Sequence, residues 1–537
     1  MRAALLLLLA VRLAAGSFQP RIDPEAVQFD ALVVDGAGEP VRDLGPDDFE
    51  ILQDGQAREI LQAEWVEARR ALAVIVDDLG LTPRGMERAR AALESFLEKR
   101  MRPGDQMALL RTSEGTGATA FTTDRAALAD AVSRLAVHPL AAREKLRGER
   151  FNVATLGLLH YVLRGLREID GRKTLVLLSD RLDSFEPESG DETSDSYLRM
   201  LGDRALRSGA ALEAGPAALE LPPDYYQLAY RPDRGIFDRA FHRLEVRVKR
   251  PGLRVRSRNG FYGNEIPPRR MPLFSATARG ELYDALFLPF TTAEVPVRIT
   301  ALPMANEKNE PFLRVLFAVE PGALAFTEAD GQRQAAFEVL LVSLGLNGKT
   351  LQQSGQLVTV RSPGRVMFHV DQPLGVAGPV HVRAAVRDRA SGRRGSAYYF
   401  AEMPPVGEGK LSLSGIYMGR AGMALGNPAL RIFRAGEEAP YAFTIYHAKR
   451  PPRLETSVRV TGRQGTLIDT PYSAVAAEED GGARSWTRSA VLELGPETPP
   501  GEYTLEVFVR DLSAKAGENE AAESVRFTVT PPARLSR

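Results

Sequence analysis

The chain has 537 residues, more than one hydrophobic core sustains, so about three or four domains are expected. Its 44% hydrophobic and 26% charged residues mark an ordinary globular protein, and the balance of 69 basic and 69 acidic residues leaves no net field for holding nucleic acid or an anionic membrane. The absence of cysteine excludes disulfide stapling, thiol catalysis, CxxC redox chemistry and Cys-ligated zinc.

Residues 1–16, MRAALLLLLAVRLAAG, have the form of a secretory signal peptide: Arg2, an apolar core, then Ala14-Ala15-Gly16 before Ser17. The apolar core is well short of the roughly 20 residues of a membrane span, and Arg12 interrupts it. Export is therefore expected, to the periplasm, the cell surface or the medium. No transmembrane segment should remain after cleavage.

Residues 17–66 read as a small N-terminal β element. FDALVVD (Phe29 to Asp35) and DFEILQDGQAREI (Asp48 to Ile60) alternate around turns such as Asp54-Gly55. Residues 67–263 change character. The run Ala71 to Val76 predicts a buried strand. Thr82 predicts a helix N-cap with Pro83 at the first helical position. Gln106 to Thr112 and Lys173 to Ser179 predict two further buried strands. Helices are expected after Thr123 and along Leu159, Val162, Leu163 and Leu166. Alternating strands and helices predict βαβ units and a doubly wound, mainly parallel sheet. YYQLAY (Tyr225 to Tyr230), RLEVRVKR and LRVRSR read as its late strands.

A linker at 264–272 and another at 404–410 set off two all-β stretches, 273–403 and 411–537. Short alternating runs between Gly/Pro turns predict a β-sandwich in each. VHVRAAVRD (Val380 to Asp388) parallels YTLEVFVRD (Tyr503 to Asp511), which marks the two as related.

Ligands of open α/β sheets sit outside the C-terminal ends of the strands. Two apolar runs end there on acids, so oxygens from separate segments are expected to converge: Asp77, Asp78, Thr82, Thr155 and Asp180. Such a set suits Mg²⁺ or Mn²⁺, hard cations that prefer oxygen ligands. The plainer reading is that Asp77 and Asp78 end a strand and Thr82 caps a helix.

Residues 27–262 resemble bacterial von Willebrand factor A (vWA)-related proteins of the acidobacterial type. The matching stretches include VVDGAGEPVRDLGPDDFEILQDG, VDDLGLTPRGMERAR, RPGDQMALLRTS, NVATLGLLHYVLRGLREIDGRKTLVLLSD and DYYQLAYRP. The resemblance implies a Rossmann-like vWA domain flanked by β-domains of immunoglobulin or fibronectin type, without a defined catalytic activity. It also implies a divalent-ion loop of the form DxSxS with a later threonine and aspartate. Here that loop is degenerate. If Asp77 leads, Leu79 and Leu81 stand at the serine positions; if Asp78 leads, Gly80 and Thr82 do. Thr155 and Asp180 match the later positions, and Arg181 follows where glycine is common. The segment Ser208 to Asp224 is shorter than the family's, so either the sheet has lost an edge or the fold is rebuilt locally. Gly209 to Leu212 is the candidate for a stunted strand there.

Other motifs carry bland readings. Gly348-Lys349-Thr350 lacks the leading glycine and the helix of a phosphate loop. The six histidines include no HExxH, and His369 with His381 lacks a third zinc ligand. No GxSxG elbow exists, and the acidic run Phe185 to Ser196 reads as a solvated loop. The leading expectation is an exported, non-enzymatic binding or scaffold protein. It would recognise a protein ligand in or beyond the envelope, and not nucleic acid, through its strand-end loops. A metal-assisted hydrolase and a purely structural envelope protein are the alternatives.

Overall fold

Period-2 alternation dominates the chain, and the fold follows it. The computed structural model describes residues 26–532 except 68, 117–120, 143–150, 167–168, 170–171, 182–200, 203, 206–207, 209, 223, 233–240, 258–259, 263–276, 288–293, 330, 346–347, 362–365, 407–409, 420–427, 447–451, 476–484 and 516–518. The leader-like residues, the acidic run from Phe185, the linker at 264–272 and residues 407–409 of the second linker lie outside the described residues.

The chain forms two units. The first comprises the described residues of Met1–Glu67 and Asp224–Pro267. Two four-stranded antiparallel sheets build it. One orders Arg254–Ser257, Val27–Val34, Tyr225–Tyr230 and Ile60–Val66; the other orders Gly260–Tyr262, Phe241–Val248, Phe49–Gln53 and Gln56–Arg58. Asp54 and Gly55 both take positive φ, 52° and 80°, in the two-residue hairpin turn expected of that pair. Tyr226 and Tyr230 are fully buried. Tyr226 packs edge-on against Phe49 and Trp65, each at 5.2 Å between ring centroids, and its hydroxyl accepts a hydrogen bond from the Leu44 amide at 2.9 Å.

The second unit holds the described residues of Ala68–Pro223 and Pro268–Arg537. One sheet here is parallel, ordered Gln106–Arg111, Arg70–Val76, Arg172–Leu178 and Ala210–Ala214. Its central strand ALAVIV is buried on both faces, as a continuous apolar run requires. Leu72, Val74 and Val76 pack with Met86, Leu93 and Val132 of the helices Pro83–Ser95 and Arg125–Ser133. Ala73 and Ile75 pack with Leu159, Val162 and Leu166 of the helix Gly157–Leu166. Asp124, one residue beyond the expected Thr123, caps the 125–133 helix by accepting from the Ala126 and Ala127 amides. The stunted run extends to Ala214 as the sheet's edge strand.

The expected Rossmann-like, doubly wound and mainly parallel vWA domain is not what forms. The protein is mostly β, organised as many small antiparallel sheets, and among the described residues parallel pairing is confined to that four-stranded layer and one short pair. The strands at 225–262, read as late strands of the α/β layer, pair instead with the N-terminal strands. Their pattern explains the difference. RLEVRVKR alternates exposed and buried residues, which suits a half-solvated antiparallel strand and not one covered by helices on both faces.

The rest of the second unit is sandwich-like. Val297–Ala305, Pro311–Val319 and Val366–Pro373 face a larger sheet containing Gln332–Leu344, Gly378–Asp388 and Arg394–Met403 across one apolar core. The helix Ala278–Phe287 packs Leu282, Ala285 and Leu286 on the outside of that larger sheet. A second core joins the sheet around Glu438–Tyr446 and Ser485–Glu493 to one containing Leu454–Gly462, Gly501–Asp511 and Glu520–Thr530. The paired sequences at 380–388 and 503–511 end alike. Asp388 accepts from the Ser391 hydroxyl and the Ala325 amide; Asp511 accepts from the Ser513 hydroxyl and the Arg453 amide. Among the described residues no helix is long and apolar enough to cross a membrane.

Candidate functional site

The C-terminal ends of the three longer parallel strands deliver polar side chains to one place. The 70–76 strand runs into Asp77 and Asp78, the 106–111 strand into Thr112 and Ser113, and the 172–178 strand into Ser179 and Asp180. Thr155 enters from the turn of helix ahead of residue 157.

Asp77 is 1% exposed and accepts hydroxyl hydrogen bonds from Thr155 on Oδ1 at 3.1 Å and from Ser179 on Oδ2 at 2.6 Å, and the Thr112 hydroxyl, 3.1 Å from the same Oδ1, shares its one proton between Asp77 and Asp78. Burial, with the neighbouring Asp78 charge, pushes its carboxyl up to about 6 against those hydroxyls. A Cβ on Gly80 would run into the Asp77 carboxylate, so the loop needs glycine there.

Asp78 is fully buried and is bound differently. Its Oδ1 accepts from the Ser113 amide at 3.0 Å and the Thr112 hydroxyl at 2.9 Å. Its Oδ2 accepts from the Ser113 hydroxyl at 2.6 Å and from Arg526 Nη1 at 2.7 Å. Burial raises the Asp78 carboxyl, but the guanidinium charges of Arg526 and then Arg111 outweigh it and hold the group below its ordinary value. Arg526 comes from the strand Glu520–Thr530, where Val525, Phe527 and Val529 point into the last sandwich core and Arg526 to the other face. Its Nη2 donates to the Ala136 carbonyl at 2.9 Å. His138, 9% exposed, donates its backbone amide to the Asp78 carbonyl at 2.7 Å. Burial, with the Arg526 charge, depresses its imidazole to about 3 and keeps it neutral.

Thr82 and Asp180 form a separate pair at the rim. Thr82 donates both its amide, at 2.9 Å, and its hydroxyl, at 2.6 Å, to Asp180 Oδ2, while Arg88 donates to Oδ1 at 2.9 Å. The Thr82 hydroxyl also accepts from the Gly85 amide at 3.0 Å, the expected N-cap. Burial raises the Asp180 carboxyl, and the Thr82 hydroxyl and amide outweigh it, lowering the group overall.

The five residues singled out in the sequence therefore divide. Asp77 and Thr155 touch, Thr82 and Asp180 touch, and Asp78 is turned toward Arg526. The set does not fit Mg²⁺ or Mn²⁺. The carboxylate oxygens already accept hydroxyl, amide or guanidinium donors, and the Arg526 guanidinium lies against Asp78 Oδ2. Among the described residues no group of three or more His, Cys, Asp or Glu side chains is placed to hold a metal. Arg526 is the guanidinium bonded to Asp78. Thr112, Ser113 and Ser179 escaped the sequence reading although the strand-end rule applies to them equally. Arg526, 448 residues from Asp78, has no sequence signal at all. His369 and His381 stand in different sheets, and His381 packs its ring on Tyr398.

The cluster continues into a chain of ion pairs. Arg111 pairs with Glu502 at 2.9 Å and Glu114 at 3.3 Å, and Glu114 pairs with Arg431 at 2.7 Å. The short strand Glu114–Thr116 leaves the parallel layer and adds to the edge of the first sandwich, pairing with Arg394–Met403. The Tyr398 hydroxyl donates to the Arg111 carbonyl at 2.7 Å. A larger cavity, about 560 Å³, lies among Leu302, Leu316, Phe317, Tyr417 and Phe443; no carboxylate lines it among the described residues.

No family model matches the chain, and no curated protein does. Among solved structures, the C-terminal domain of wzt aligns with 24% of this chain and 80% of its own, at 10% identity and a TM-score of 0.18. Red sea bream transglutaminase aligns with 44% of this chain and 32% of its own, at 12% identity and a TM-score of 0.14. Scores this low support no inference about fold or activity, and neither lends support to the vWA resemblance.

Proposed function

We propose that the chain is a non-enzymatic scaffold of linked β-sandwiches, exported as residues 1–16 suggest, in which the acidic strand ends serve as an internal tie. The buried Arg526–Asp78 pair carries this reading. A guanidinium supplies the positive charge that a cation would supply, from a strand of the last sandwich, and it does so without opening the carboxylates to solvent. A docking face needs accessible groups, and a hydrolytic site needs a carboxylate able to reach a metal-bound water. Asp77 and Asp78 offer neither. The immunoglobulin-like sandwiches then act as spacers whose order is fixed by polar contacts to the parallel layer.

Calorimetric titration of the full chain with Mg²⁺ and Mn²⁺ tests the reading. No saturable heat is expected. Saturable heat that disappears in Asp78→Asn would restore the metal-dependent docking face. A parallel screen with ester, phosphodiester and peptide substrates is expected to stay at background, and metal-dependent turnover would restore the hydrolase.

A further inference from the structure

The strand Thr350–Val360 lies at one edge of the larger sheet of the first sandwich. On one side it pairs antiparallel with Gln332–Leu344, from Ala335 opposite Val360 to Leu344 opposite Thr350. Its other side is open. Among the described residues no second strand pairs with it, and no backbone hydrogen bond beyond that pairing reaches residues 351–360. An edge strand turns half of its N–H and C=O groups away from its sheet, where they template pairing with a further strand.

Proteins commonly blunt such an edge with charge or proline. TLQQSGQLVTV contains neither over eleven residues; the nearest charges, Lys349 and Arg361, stand just beyond its ends. Two residues within it have no role in the chain's own packing. Leu357 is 55% exposed. Gly355 sits in mid-strand, where glycine costs conformational entropy and contributes no side chain. It does not take a positive φ, and a Cβ built on it would meet only the Val339 carbonyl oxygen, at 3.6 Å, an ordinary contact. A strand glycine that its own fold does not require marks the close approach of something else. Ser354, Gln356 and Val358 stand opposite the core residues Leu341, Val339 and Phe337, so Gly355 and Leu357 share the outer face.

We infer that this edge pairs antiparallel with the same edge of a second copy of the chain, about a two-fold axis at Gln356. That axis sets Leu357 of each copy against Gly355 of the other. A projection and a recess two residues apart on one edge are what a self-complementary contact requires. Odd positions stand opposite odd positions in this register, so each copy keeps its apolar face toward its own core. No charges oppose each other from 352 to 360. The contact uses the edge once, so assembly stops at two. It goes beyond the scaffold reading and takes no residue from the Asp78–Arg526 tie, so either can fail alone.

Sedimentation of the full chain from about 1 to 100 µM tests the pairing. A monomer–dimer equilibrium is expected, with amide exchange across 351–360 slower at the higher concentrations. Leu357→Lys places a charge on the edge and Gly355→Val fills the recess. Each should weaken dimerisation about ten-fold or more, and Leu357→Lys should melt like the parent at the lowest concentration, because the residue is exposed. Val491→Lys, the same change at an exposed residue of the strand Ser485–Glu493, should leave dimerisation as it is. The inference is overturned if the chain stays monomeric over that range, even where a different protein's strand occupies the edge. It is equally overturned if assembly continues beyond two, if Leu357→Lys and Gly355→Val dimerise as the parent does, or if Val491→Lys dissociates the dimer as Leu357→Lys does.

Discussion

Asp78 and Arg526 test the tie most directly. Each leaves the other buried and unpaired when removed, which costs about 3–5 kcal/mol. Asp78→Asn and Arg526→Met should each destabilise by that order in urea melts, and the double variant should cost clearly less than their sum. Strict additivity would show that the pair is not coupled. Asp77 and His138 predict opposing pH dependences. The Asp77 carboxyl titrates at about 6 in the folded chain against 3.8 ordinarily, so its protonation favours folding. That contribution is complete below about pH 4 and is lost as pH rises through 6, an amount of roughly 3 kcal/mol. His138 is depressed from 6.5 to about 3, so its contribution is present above 6.5 and is lost as pH falls toward 3. In Asp77→Asn the first effect is gone. Stability measured relative to the parent should therefore climb between pH 4 and pH 6, and a flat difference would refute the buried titration.

The elements that position these residues are sensitive at two places. The strand Glu114–Thr116 can lie against Arg394–Met403 only because residue 115 is glycine: a Cβ there would meet the ring of the buried Tyr398. Gly115→Ala should cost about 1–3 kcal/mol by overpacking, whereas Gly36→Ala, with open space around it, should stay within about 0.5 kcal/mol. Thr82→Ala removes the cap of the 83–95 helix and the Asp180 hydrogen bond together, so a loss of about 1–2 kcal/mol is expected from thermal melts. These local features were legible in the sequence. Thr82 before Pro83, Asp54-Gly55 between alternating runs, and the apolar run at 71–76 each carry their own steric or hydrogen-bonding instruction. Thr123 was displaced by Asp124 because either side chain can cap a helix, and one residue of register is not fixed by pattern alone.

Across the second unit, the parallel layer and the two sandwiches are joined by charge as well as by apolar packing. The path Glu502–Arg111–Glu114–Arg431, together with Asp78–Arg526, draws on the parallel layer, the last sandwich and the strand Glu114–Thr116 at the edge of the first. Cutting it at one point should loosen both sides. In Arg526→Met, amide hydrogen exchange should quicken both along Glu520–Thr530 and at the strand ends near Asp78 and Ser113. Faster exchange confined to residues 520–530 would mean that the arginine serves only its own sandwich.

By itself the sequence determined the short elements and the alternation of the individual strands, because each is set by neighbours a few residues apart. Only the tertiary structure decided that the strands at 225–262 pair with the N-terminal strands, and that Asp78 meets an arginine instead of solvent. Both are choices among partners far along the chain. Alternation tells a strand which face to bury but not which edge to join, and a lone arginine on the outer face of a sandwich strand looks like any solvated charge until the fold brings a buried carboxylate against it.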